Sequence, residues 1–93
     1  MEENFNLNAY KYFLAVIREQ GVSKAAGKLG VSQPTVSYNL HTLQRELGKR
    51  LFILERNGIV PSPQALILYQ RLRPVYLAFM RIIADFIRNK DCQ

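Results

Sequence analysis

The chain has 93 residues, 48% of them hydrophobic, enough for one small domain with a modest core and too few for two. Thirteen Lys and Arg against seven Asp and Glu leave a formal charge of +6, which favours acidic partners such as nucleic acid or an anionic membrane surface. Cys92, the single cysteine, stands one residue from the end; it excludes an intramolecular disulfide or a cysteine-based metal cluster and reads as a bystander.

The opening segment MEENFNLNAY is acidic and lacks the basic-then-apolar order of a signal peptide. The longest apolar run near the C-terminus, Val75 to Met80, is far too short to span a bilayer and is bracketed by Arg73 and Arg81. A cytoplasmic chain with no membrane partner is the expectation.

From Leu7, the residues Tyr10, Phe13, Leu14 and Ile17 recur at helical spacing, predicting a first helix with Asn6 as cap and Gly21 as stop. Ser23 is expected to cap a short second helix, KAAGKL, that ends at Gly30, and Ala25 and Ala26 are small enough to let a neighbouring helix come close. Only Gly30 and Val31 then precede the next cap, so two helices must turn sharply, the helix-turn-helix pattern.

The third helix opens with SQPTVSYNLHTL. Ser32 has the hydroxyl of an N-cap, Pro34 lies in the first turn, and Gly48 is a natural stop. Val36, Leu40, Leu43 and Leu47 form one narrow apolar stripe. Opposite stand Thr35, Tyr38, His41, Thr42 and Arg45, flanked by Ser37 and Asn39: many hydrogen-bonding groups and no carboxylate, whereas a solvated face usually mixes Glu with Lys.

Beyond Gly48, β-branched and aromatic residues flank Asn57-Gly58, predicting strands at Leu51 to Leu54 and Ile59 to Val60 with Arg56 at the tip. Ser62 and Pro63 then open a long helix towards Asn89. Leu68, Leu72, Val75, Phe79, Ile82 and Phe86 keep a heptad rhythm along it, the mark of a helix that meets another helix. Beside them runs a second stripe, Tyr69, Tyr76, Met80, Ile83 and Ile87, too much apolar surface for one small domain to cover, so burial against a second copy is expected. Pro74 is the local conflict, costing a helix interior roughly 3 kcal/mol; it predicts a kink, or two helices meeting at Arg73.

KAAGKLGVSQPTVSYNLHTLQRELGKRLF resembles the N-terminal winged helix-turn-helix of LysR-type transcriptional regulators, through Ala25, Ala26, Leu29, Ser32, Gln33, Pro34, Val36, Ser37, Leu43, Leu47, Gly48, Leu51 and Phe52. The resemblance runs from about Leu7 to Ala65. The chain departs from the family pattern at Tyr38, where a basic residue is common, at Gln44 (acidic), Leu54 (Arg), Ser62 (Thr) and Ala65 (Gly). Arg56 stands two places past the missing arginine.

The resemblance implies a mainly α fold, a winged helix-turn-helix of three helices plus a two-stranded wing over residues 1–61, with a linker and dimerisation helix and tail over 62–93. It implies double-stranded operator DNA as partner, with the third helix in the major groove and Gln33, Pro34, Thr35, Ser37 and Tyr38 near bases. Gln pairs well with adenine, and Ser and Thr with several base edges, each such contact giving roughly 1 to 3 kcal/mol of discrimination. His41 joins them as an exposed polar contact: it is the sole histidine, and no carboxylate or cysteine cluster accompanies it to make a general base or metal site. Ser32, Thr42, Arg45, Lys49, Arg50 and Arg56 are assigned to phosphates, where they add affinity and register.

The heptad residues Leu68, Leu72, Val75, Phe79, Ile82 and Phe86 are the expected homodimer seam, and two copies would read an interrupted palindrome. No phosphate-binding glycine loop and no nucleophile with a partner base is visible, so neither catalysis, cofactor nor metal is expected. The α/β inducer-binding domain that usually follows in the family is absent from these 93 residues. Two other readings stay open: a winged helix that docks on a protein, and a short form that modulates full-length regulators by mixed dimerisation.

Overall fold

Ala9, Phe13 and Val16 recur every three or four residues, and this period winds Leu7–Glu19 into α1 with Ala9, Phe13, Leu14, Ala15 and Val16 buried. The computed structural model describes residues 7–55 and 58–89. Asn6, Arg56, Asn57 and Cys92, each given a role by the sequence, lie outside the described residues.

α1 stops earlier than Gly21. Gln20 takes the left-handed conformation at φ 62°, and the Gly21 N–H donates back to the Val16 carbonyl at 3.1 Å. This reversal frees the Gly21 carbonyl to accept from the Ala25 N–H at 3.1 Å. Gly21 is therefore the N-cap of α2, Val22–Leu29, and Ser23 falls inside the first turn and does not cap it. Gly30, left-handed at φ 71°, closes α2, and the fully buried Ala25 and nearly buried Ala26 hold α1 and α3 close.

α3 spans Gln33–Leu47 and is capped as predicted: Ser32 Oγ accepts the Thr35 N–H at 3.2 Å, and Gly48 ends the helix at φ 65°. Val36, Leu40 and Leu43 are buried, but Leu47, expected on the same stripe, is 36% exposed because the helix runs past the core there. Asn39 is a second correction. It is buried, not part of the polar face, and its Nδ2 donates to the Thr35 carbonyl at 2.8 Å.

The wing pairs β1, Phe52–Glu55, antiparallel with β2, Gly58–Pro61, in the register Phe52↔Pro61 to Glu55↔Gly58. β1 is shifted by one residue from the sequence expectation, since Leu51 is drawn out of the ladder into the core, where it is 2% exposed, and β2 includes the expected Ile59 and Val60 with one more residue at each end. Phe13, Leu43, Leu51 and Val36 are the largest fully buried side chains. The Phe13 ring meets Phe52 edge-on at 5.9 Å, joining α1 to the wing.

α4 runs unbroken over Pro63–Arg88, about 39 Å at 1.5 Å per residue, so two helices meeting at Arg73 are ruled out. Pro74 is exposed, while Leu72 and Tyr76 on either side pack against the core and hold the helix through it. The first turn belongs to the body: Ser62 Oγ accepts the Ala65 N–H at 3.1 Å and donates to the Arg50 carbonyl at 2.8 Å, and Ala65 is fully buried. Ser62→Ala removes a cap and takes the side-chain donor from the part-buried Arg50 carbonyl. It should cost about 1–2 kcal/mol in urea unfolding, whereas Ser62→Thr should cost little.

Candidate nucleic-acid interface

α3 stands on its buried stripe and turns the opposite face outward. Gln33, Pro34, Thr35, Ser37, Tyr38, His41 and Arg45 are all exposed, Tyr38 at 68%. Lys49 and Arg50 are exposed just past the helix end, and Glu46 points to another side, close enough to Tyr10 to influence its hydroxyl. The outward face therefore carries donors, acceptors and cations without a carboxylate. Arg45 in the last turn also opposes the negative end of the helix dipole.

Some of the predicted phosphate donors are already engaged. Thr42 is half-buried and its hydroxyl donates to the Tyr38 carbonyl at 3.0 Å. Ser32 Oγ shares a 2.8 Å hydrogen bond with Thr35 Oγ1 while capping the helix. Arg45, Lys49 and Arg50 have exposed side chains.

Gln44 is the residue whose role sequence reasoning missed. Its Oε1 accepts two backbone N–H groups, from Leu51 at 2.8 Å and Phe52 at 3.0 Å, and so ties α3 to the start of the wing. A carboxylate would serve equally as a double acceptor, so the acidic residue that the resemblance leads one to expect here would make the same joint. The signal was a lone amide between the α3 stripe and the wing, and its partners are main-chain atoms that no side-chain pattern reveals. The Ser62 N–H donates to the Leu51 carbonyl at 2.9 Å, so residues 50–52 are pinned from both α3 and α4.

Between α3 and the wing lies a cleft of about 360 Å³ lined by Val22, Ser37, Leu40, His41, Gln44, Arg50, Phe52 and Ile59. On the other side of the molecule an apolar groove of about 370 Å³ is lined by Leu7, Tyr10, Leu72, Val75, Tyr76 and Phe79. The Tyr10 hydroxyl is raised above its ordinary value by burial and then by the Glu46 carboxylate, so it stays neutral at physiological pH. Of the six predicted seam residues, Leu68 and Leu72 are half-buried against their own core, while Val75, Phe79, Ile82 and Phe86 are exposed. Among the described residues no group of three or more His, Cys, Asp or Glu could hold a metal ion, and no helix is long and apolar enough to cross a membrane.

A helix-turn-helix with a two-stranded wing and a projecting fourth helix is the class of fold this geometry defines. Residues 7–66 match the family model described as bacterial regulatory helix-turn-helix protein, lysR family. The chain belongs to that family. It is 33% identical over 81 residues, 85% of its length, to the HTH-type transcriptional regulator AdmX of Serratia plymuthica, and covers 27% of that protein. To the regulator BenM of Acinetobacter baylyi it is 36% identical over 64 residues, covering 69% of this chain and 21% of BenM. The chain thus spans roughly a fifth to a third of the curated relatives it matches. Its structure superposes on the crystal structure titled BenM_DBD/catB site 1 DNA complex with a TM-score of 0.84 at 27% identity, covering 96% of this chain and all of that one. A full-length BenM variant, R156H, aligns with a TM-score of 0.78 at 28% identity, over 91% of this chain and 28% of that one.

Proposed function

We propose that the chain is the DNA-reading module of a bacterial transcription regulator. It acts in the cytoplasm as a homodimer and places α3 of each copy in the major groove of one half of an interrupted palindrome. The observation that carries this reading is the outward face of α3, polar to basic and free of carboxylates, on a fold that superposes on a relative's domain in a DNA complex. Residues 1–61 form the reading unit and 62–93 the dimerising segment.

Gln33, Pro34, Thr35, Ser37 and Tyr38 are the base-facing set, and Arg45, Lys49 and Arg50 the main phosphate donors, with Arg56 assigned to the same role from its place in the sequence. Ser32 and Thr42 are lesser phosphate contacts, because the hydrogen bonds above already occupy them. Val75, Phe79, Ile82 and Phe86, continued by Leu68 and Leu72, form the seam between copies. No cofactor, metal or catalytic group has a part in this mechanism.

The test is selection from a pool of random duplexes at two salt concentrations, with sequencing of what is retained. A two-fold symmetric enriched site, with affinity falling steeply as salt rises, is the expected result. Retention without enrichment would defeat the reading and leave a basic domain that holds DNA without reading it, and no retention at low salt would favour a protein-docking module. On the enriched duplex, Tyr38→Ala should change base preference more than bulk affinity. Arg45→Ala should weaken all duplexes alike and lower the salt slope by about two, one phosphate contact being lost from each copy.

A further inference from the structure

The cleft between α3 and the wing has a composition that the base-reading face does not share. At about 100° per residue, Ser37, His41 and Gln44 fall within roughly 60° of one another on the side of α3 turned to the wing, whereas Tyr38 and Arg45 point further outward. All three line the cleft, with Arg50 entering from the α3–wing connection. The Arg50 backbone is held by Ser62 and the next two residues by Gln44, so its side chain starts from a fixed point. Ser37, His41 and Arg50 are exposed.

With α3 in the major groove, the phosphodiester strand that borders that groove on the wing side passes over the space between α3 and the wing. This step rests on the reading of α3 given above. We propose that His41 is a phosphate contact and not a base reader, and that with Arg50 it seats one backbone phosphate in this cleft by taking up a proton. Among the described residues the charged groups facing it have one sign. Arg50 comes from the connection and Arg45 from the next turn of α3, while α2 offers Val22, β1 Phe52 and β2 Ile59. Among the described lining residues there is no carboxylate, so a bound phosphate supplies the negative charge that an imidazolium pairs with. Binding of DNA and binding of the proton are then coupled, each strengthening the other.

The experiment is fluorescence anisotropy with the enriched duplex from pH 5.5 to 8.0 at constant ionic strength, on the wild type, His41→Gln and His41→Arg, with circular dichroism to verify folding. Wild-type affinity should fall about tenfold across this range, the factor that about 1.4 kcal/mol of preference for the protonated form produces. His41→Gln should be flat near the high-pH affinity, and His41→Arg flat near the low-pH affinity, since its charge is permanent. His41 is the only histidine, so no other imidazole can produce the slope. A flat wild-type profile with sequence-selective binding intact overturns the proposal, as does a slope that survives His41→Gln or a changed base preference in that variant. Absence of selective binding at every pH would instead sink the reading of α3 itself.

Discussion

Phe13→Ala should lower the thermal midpoint by roughly 15–25 °C at fixed protein concentration, the largest loss expected of any single core truncation in this chain. Phe13 is fully buried and meets Phe52 edge-on, so its ring is where α1 and the wing come together. Replacing a buried Phe by Ala costs about 3–5 kcal/mol through lost transfer energy and the cavity left behind. The lost aromatic pair adds about 0.5–1.5 kcal/mol. Domains of this size are marginal, so the variant should be partly unfolded at 37 °C. Phe13→Leu should retain most of the stability. A shift below 5 °C for Phe13→Ala, read by circular dichroism, would mean that the α1–wing joint is held by something other than this ring.

The fold was legible wherever local chemistry and packing agree. Ser32 and Ser62 cap their helices as their hydroxyls predict, Gly30 and Gly48 end theirs in the left-handed conformation, and the Val36–Leu40–Leu43 stripe is buried. It was least legible where a tertiary choice between neighbouring residues decides. Glycine is the natural residue for a left-handed turn, yet Gln20 takes it, because placing the reversal one residue earlier lets Gly21 cap α2. Pro74 reads as a break, but contacts of Leu72 and Tyr76 with the core outweigh a cost of roughly 3 kcal/mol.

The candidate site divides in the same way. Which face of α3 is free follows from its apolar stripe, and the exposed positions from Gln33 to Arg45 agree with it, buried Asn39 and half-buried Thr42 excepted. What the sequence does not carry is the frame behind the face. The double acceptance by Gln44 and the Ser62–Arg50 bond run from side chain to main chain across seven to twelve residues, distances at which periodicity holds no information. For the same reason His41 reads as one more polar residue on the rod until the wing is seen on its side of the helix.

Ile82→Asp/Phe86→Asp should convert the chain to a monomer and weaken binding to the two-half-site duplex by a hundredfold or more, while binding to an isolated half-site stays within about threefold of wild type. Both side chains are exposed, at 65% and 72%, and lie towards the far end of α4, beyond the body that folds around Phe13 and Leu43. Two buried carboxylates per copy would therefore strike association without loosening the monomer. Each large apolar side chain buried at a seam contributes about 1.5–3 kcal/mol, and an unpaired charge in its place reverses the sign. The hundredfold follows from linkage: two half-site contacts held in one particle gain about 10²–10⁴ in avidity over either alone. Sedimentation velocity gives the state of assembly, and titrations of whole-site and half-site duplexes give the two affinities. If the variant remains dimeric, the copies meet elsewhere, the groove of Leu7, Tyr10 and Val75 being the next surface to charge. If it is monomeric and still binds the whole site with wild-type affinity, each half-site is read independently, and α4 plays no part in setting the spacing of the palindrome.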